Sequence, residues 1–408
     1  MKNEGPRAAA SRAKTLPQRL RCGSFFILNS SFFILLLLAG CTGPNATSRP
    51  ASQRPARAEF RVEAVASNLE VPWSLAFAPD GRLFVTERPG RIRVIEGGAL
   101  RNEPWATLDV YAQGEAGLMG IALSPGFAEN RHVYVVGTFR AGARVVNRIV
   151  RFTDTGGKGA DRETVVDDVP GNRLHAGDAI AFGPDGMLWA ATGEVRQPRL
   201  AQDRGSLAGK ILRYTPDGGV PSDNPIANSP VYALGLRNPQ GLAWHPHSGQ
   251  LFATEHGPSG FPNEGFRRGQ DELNAIREGG NYGWPKAAGR GTEGGPFVAP
   301  VLEWTPAIAP AGLAFYRGDK LPWDGQAFVA CLRGKQLRRI VLERGGNGGA
   351  GWKVTAEEAM FQNEYGRIRA VAAGPDGFLY FTTSNRDGRG SPSGEDDRVL
   401  RIIPRSPE

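Results

Sequence analysis

The chain has 408 residues, 40% of them hydrophobic, with 55 Gly, 31 Pro and only three Cys. That balance excludes a disordered or collagen-like chain and a disulfide-stapled scaffold, and suits many short strands joined by tight turns. The formal charge of +8 suggests a nucleic-acid partner until it is located: Lys2, Arg7, Arg12, Lys14, Arg19 and Arg21 face only Glu4 in residues 1–40, and Arg49, Arg54 and Arg57 are unopposed in 41–57, so residues 58–408 are formally neutral and no polyanion partner is expected.

In chain order, residues 1–40 read as an export leader: a basic stretch, an apolar run at 32–38 and the small-residue ending LAGC at 38–41, the pattern of a lipoprotein signal peptide with Cys41 as the lipidated residue. The run is too short to span a bilayer comfortably. Residues 41–57, rich in Pro, Ser, Ala and Arg, then form a flexible tether, and 58–408 the folded body. The expected location is exported, periplasmic or cell-surface, with membrane contact through the N-terminal lipid only. Cys22 leaves with the leader and Cys41 carries lipid, so Cys331 remains alone and no intramolecular disulfide forms.

The folded body repeats one unit: an apolar strand, a turn often spelled Pro-Asp-Gly, and a second strand ending in small or polar residues. Copies are SLAFAPDGRLFVTE (74–87), GIALSPGFAENRHVYVVG (120–137), AIAFGPDGMLWAATGE (179–194), GLAWHPHSGQLFATEHG (241–257), GLAFYRGDKLPWDGQAFVAC (312–331) and AVAAGPDGFLYFTTS (370–384). They recur roughly every 45 to 70 residues, the size of a four-stranded propeller blade with insertions. Further strands at 91–96, 148–152, 209–214 and 336–343 continue the blades, and 398–403 pairs with the N-terminal strand to close the ring. The expected fold is all-β, a six-bladed β-propeller with four-stranded blades around a central channel.

In such a ring, loops from every blade meet at one end of the channel, so polar residues at equivalent repeat positions are the candidates for function. His175 precedes the third inner strand; Arg237 and Asn238 precede the fourth, with Glu255 and His256 at the end of its hairpin. Arg367 and Arg369 stand at the start of the last inner strand, and Arg333 follows the fifth hairpin. Cations gathered at one place call for an anion to meet them. The competing reading is a blade-to-blade salt-bridge network using Asp178, Glu115 or Glu194.

The ordered motifs VPWSLAF, GEAGLMGIALSPGF, a His before AFGPDG, SLAGKILR, LGLRNPQGLAWHP, ATEHGP, DELN, NYGWP, IAPAG and RIRAV before GPDG, covering nearly all of 58–404, resemble the soluble pyrroloquinoline quinone (PQQ) dependent aldose or glucose/sorbosone dehydrogenases. The resemblance implies a PQQ cofactor with calcium over the channel, an aldose substrate oxidised at C1 to a lactone, and an electron acceptor that is a quinone or small redox protein. It implies that His175 is the general base and that Arg237 and Asn238 touch the quinone oxygens, with Arg237 stabilising developing charge. Arg333, Arg367 and Arg369 hold the tricarboxylate cofactor. Main-chain carbonyls of Gly257 and Pro258 bind calcium, and Asp271 and Glu272 form a second calcium site after an inserted loop at 259–270.

The chain also departs from the family pattern. Asp178 stands where many members have glycine, and there it favours a protonated base or takes room meant for substrate. Ala179 replaces an arginine, Glu194 an aspartate, Glu115 a glutamine, Arg333 a lysine and Ala370 an aspartate. Two other classes compete: a calcium-dependent propeller lactonase, which places carboxylates and amides on the axis, and a non-catalytic binding propeller.

Overall fold

A computed structural model describes residues 60–405 apart from 267 and 346–348; the side chains of Asp178 and Asn263 also lie outside the description. The leader, the tether and Cys41 fall outside the described residues. Twenty-five strands form six antiparallel sheets, with one four-residue helix, Phe127–Asn130, among the described residues. No described helix is long and apolar enough to cross a membrane.

Each sheet is one blade. The innermost strands are Pro72–Phe77, Leu118–Leu123, Gly177–Phe182, Pro239–Trp244, Pro310–Phe315 and Ile368–Ala373, and each lies beside the next around the ring. Three further strands step outward in every blade, and the first blade adds a short fifth, Ala106–Thr107. The ring closes as expected: Phe60–Ala66 pairs antiparallel with Val399–Pro404, from Phe60 opposite Pro404 to Ala66 opposite Val399, so the two ends of the folded body complete one sheet. Closure leaves no open edge between the first and last blades.

The sequence explains the turns. Gly81, Gly186 and Gly377 of the three Pro-Asp-Gly turns have φ of 88°, 74° and 80°, a conformation open to glycine. The preceding Asp side chains accept the N–H two residues on, as Asp185 does from Met187 (3.1 Å).

Inner strands are rich in Gly and Ala because they crowd the axis. A Cβ on Gly241 would stand 2.5 Å from the Ala311 carbonyl of the next blade, and one on Gly312 2.9 Å from Ala370 Cα. The polar ends of the second strands stitch neighbours together. Thr86, Thr254 and Thr382 each donate a hydroxyl to an inner strand of the following blade, at Met119 (2.5 Å), Ala311 (2.5 Å) and Pro72 (3.1 Å).

The core consists of six apolar clusters, one in each blade-to-blade contact. Between the first two blades, for example, Phe84, Trp105, Phe127 and Phe152 pack edge to face. Beside them Arg82 pairs with Asp154 (2.5 Å), both side chains almost fully buried, and the Trp105 indole also donates to Asp154 (2.8 Å). The inner strands of all six blades line an axial cavity of about 560 Å³, with Ala179 and Ala370 in its wall.

Candidate active site

Strand register places the candidates. The start of each inner strand pairs with the end of the second strand of its blade: Gly177 with Thr192, Pro239 with Glu255, Pro310 with Cys331 and Ile368 with Thr383. His175, Arg237, Asn238, Arg333, Arg367 and Arg369 therefore all belong to one end of the ring.

His175 is buried, with a backbone φ of 52° that L residues seldom adopt. Three contacts hold it there. Its N–H donates to Glu115 Oε2 (3.0 Å), its carbonyl accepts the Val195 N–H (3.0 Å), and its Nδ1 lies against Glu194 Oε1. A carboxylate only accepts, so Nδ1 donates its hydrogen to Glu194, and Nε2 has no protein partner among the described residues. Glu194 is almost wholly buried and its Oε2 has no partner. The other oxygen of Glu115 accepts from Arg389 Nη1 (2.9 Å), so a polar chain runs from a loop of the last blade to His175. Burial would raise the Glu115 carboxyl, but the nearby imidazoles of His256 and His175, the His175 N–H and the Arg389 guanidinium bring it down to about 2.

Asn238 is fully buried; its Oδ1 accepts the Gly177 N–H (3.1 Å), while its Nδ2 has no acceptor. Arg237 donates to the His256 carbonyl (3.2 Å), Ser259 Oγ (3.0 Å) and Glu264 Oε1 (2.7 Å), stands 5.5 Å over the Trp284 ring, and leaves its buried Nε without an acceptor. His256 is kept neutral: burial first, then the guanidiniums of Arg237 and Arg369, push its imidazole down to about 3 against the pull of Glu115. Its Nε2 is shut from solvent and unbonded.

Arg367 and Arg369 converge on Asp387, Arg367 at 2.8 Å and Arg369 at 3.9 Å, and Arg369 lies 3.5 Å over the Trp73 ring. Burial would raise Asp387, but the two guanidiniums hold it below the usual carboxylate range. Arg333 is exposed on the hairpin after Cys331 and has no carboxylate in salt-bridge range among the described residues.

Two expectations need correction. Arg237 pairs with Glu264, and Arg367 and Arg369 with Asp387, carboxylates the sequence did not single out, rather than with Glu115 or Glu194; Glu194 faces His175 and Glu115 meets Arg389. The Asp178 side chain lies outside the described residues.

Nor are Asp271 and Glu272 brought together. As neighbours in strand Gly269–Ala275 they leave it on opposite faces. Asp271 accepts from the backbone of Gly257 (3.2 Å) and Ala309 (2.7 Å), and burial pushes it up to about 7. Glu272 instead accepts from Asn274 Nδ2 (3.0 Å) and the Gly289 N–H, opposite Glu255, which shares the same amide (3.0 Å). Burial and mutual repulsion raise the Glu255 carboxyl well above its ordinary value. Among the described residues no group of three or more His, Cys, Asp or Glu side chains is placed to share a metal ion. Gly257 and Pro258 sit where the ladder slips between His256 opposite Asp271 and Ser259 opposite Gly269, a bulge that frees main-chain groups from pairing.

Buried guanidiniums, an unpaired amide donor and a carboxylate-braced imidazole thus gather at one mouth of the six-bladed ring. The Glucose / Sorbosone dehydrogenase family model matches residues 69–394, and the chain belongs to that family. It is 34% identical to aldose sugar dehydrogenase YliI of Escherichia coli, over 92% of this chain and 99% of that one. It is 32% identical to quinoprotein glucose dehydrogenase B of Acinetobacter calcoaceticus, over 81% of this chain and 86% of that one. The PQQ-bound structure of an aldose sugar dehydrogenase from Streptomyces coelicolor superposes with a TM-score of 0.73 at 41% identity, covering 85% of this chain and 98% of that one.

Proposed function

We propose that this chain binds PQQ with calcium at the channel mouth and oxidises the C1 hydroxyl of aldoses to the lactone. The observation that carries the reading is a set of buried donors lacking acceptors, Asn238 Nδ2 and Arg237 Nε, beside an imidazole whose Nδ1 is braced by Glu194. Unsatisfied buried donors are costly and suit an anionic, oxygen-rich ligand. When bound, PQQ supplies the two-electron acceptor for the C1 hydrogen.

The chain's own residues do the rest. His175 Nε2 takes the proton of the C1 hydroxyl, and Glu194 holds the ring in the required tautomer and balances the imidazolium that forms. Arg237 and Asn238 present donors where negative charge develops. Arg333, Arg367 and Arg369 hold the carboxylates of the cofactor, Arg333 as the cation with no counter-ion among the described residues. The Gly257 and Pro258 carbonyls, released by the bulge, are oxygen ligands of the kind calcium accepts. Electrons leave to a quinone or small redox protein, and the enzyme is exported and anchored through lipid on Cys41.

Apoprotein reconstituted with PQQ and calcium should reduce a redox dye with aldoses; no dye reduction together with no cofactor absorbance overturns the proposal, and lactone hydrolysis without PQQ would put a lactonase in its place. His175→Ala should abolish turnover and spare PQQ uptake. Labelled fatty acid should be incorporated by the wild type and not by Cys41→Ser.

A further inference from the structure

The inserted loop carries a carboxylate into the centre of the site. After the bulge at Gly257 and Pro258 the chain leaves the sheet, turns through a single 3₁₀ turn at Pro262–Glu264, and returns as strand Gly269–Ala275. The turn ends on Gly265 with φ of 75°. Phe266 stacks on Trp284 at 5.5 Å with 24° between the rings, and Trp284 is the ring over which Arg237 stands. So anchored, the loop directs Glu264 inward. Its Oε1 meets Arg237 Nη2 (2.7 Å) and its Oε2 accepts the Ser259 N–H (2.7 Å).

The two side chains of this pair are 3% and 7% exposed. At a water-excluded site a carboxylate this close offsets most of the field of its guanidinium, whereas a surface pair would do little. Arg237 thus differs from exposed Arg333, whose charge no described carboxylate offsets.

Resting on the PQQ reading of this site, we propose that Glu264 is a tuning residue: a built-in counter-ion on the inserted loop that fixes Arg237 in place and restrains how strongly the site binds anions. Two effects follow from the geometry. The pair stabilises the protein without an added anion, because the buried guanidinium otherwise has only the neutral His256 carbonyl and Ser259 hydroxyl as acceptors among the described residues. It also competes with any anionic ligand of Arg237, because that ligand meets a compensated cation. The structural contribution and the affinity contribution therefore have opposite signs, which a purely structural residue would not show.

The test uses the full chain and two variants, Glu264→Gln, which removes the charge, and Glu264→Asp, which keeps it but shortens its reach. PQQ is titrated into each apoprotein by tryptophan fluorescence, and Tm is followed against PQQ and, separately, against inorganic sulfate. Glu264→Gln should lower Tm in the absence of added anion, bind PQQ about tenfold more tightly than the wild type, and show a larger rise in Tm with sulfate. Glu264→Asp should fall between the two, and decides the matter if the Gln variant does not fold. Unchanged or weaker PQQ affinity with an unchanged sulfate response in the folded variants overturns the proposal. If no form takes up PQQ but the sulfate response still grows in the variants, the counter-ion role stands and the PQQ reading falls.

Discussion

Nδ1 of His175 lies against Oε1 of Glu194, two residues past the second strand of the same blade, Leu188–Thr192. The register that sets Gly177 opposite Thr192 makes this contact, and the positive φ of His175 turns the ring toward it. Under the proposed function the contact selects the tautomer with a free Nε2.

Glu194→Ala therefore removes the brace while leaving the imidazole. General-base catalysis contributes about 10²–10⁴-fold, and a misoriented base forfeits part of it. Steady-state dye reduction by the PQQ-loaded variant should show kcat down by about 100-fold with a smaller change in KM, and an unchanged kcat would contradict the assignment.

Glu115 links acid sensitivity to the same loop. Its carboxyl is lowered from 4.5 to about 2 in the folded protein, so the unfolded chain binds the proton more tightly. Its contribution to stability is present above about pH 4.5 and is lost as pH falls toward 2. Thermal unfolding of the wild type should show Tm falling across that window, and Glu115→Gln should flatten this part of the acid limb.

The buried Arg82–Asp154 pair joins the first blade to the second. Asp154→Ala leaves Arg82 with Asp80 as its remaining carboxylate and the buried Trp105 indole without its acceptor, at a cost of about 2 kcal/mol. Urea unfolding should show the loss in the midpoint. The pair lies among the residues of the blade contact and outside the proposed active site, so turnover per folded molecule should not change.

Ring closure depends on Phe60, edge-on to Trp323 at 5.4 Å and to Phe361 at 5.7 Å. The ring is half-buried, and Phe60→Ala should cost about 2 kcal/mol, below the roughly 3–5 kcal/mol of a fully buried aromatic. Limited proteolysis should find the strand pair Phe60–Ala66 and Val399–Pro404 cleaved earlier in the variant.

The repeat made the fold readable. A strand, a Pro-Asp-Gly turn and a second strand are fixed by near neighbours, since Pro restricts φ, Asp bonds two residues on, and Gly takes positive φ. Six strand-turn-strand units, three of them with that turn, therefore announced six blades, and the positions of His175, Arg237, Asn238, Arg367 and Arg369 ahead of or at inner strands announced which residues share an end of the channel. The residues that answer them were not legible. Asp387 and Glu264 lie in irregular loops, where no period relates a side chain to the axis, and nothing in Phe261-Pro262-Asn263-Glu264 says that its carboxylate turns inward. Opposite faces for Asp271 and Glu272 were implied by strand alternation, but adjacency in a DEL motif concealed it.

By itself, then, the order of residues determined the blades, their turns and the ring that joins Phe60–Ala66 to Val399–Pro404, because those follow from local backbone preference and a repeated apolar pattern. Only the tertiary structure decided which carboxylate meets which guanidinium, that Glu194 braces His175, and that Arg237 is already paired. Ion pairs and hydrogen bonds act over a few ångströms, and such distances between loops of different blades exist only once the ring has closed.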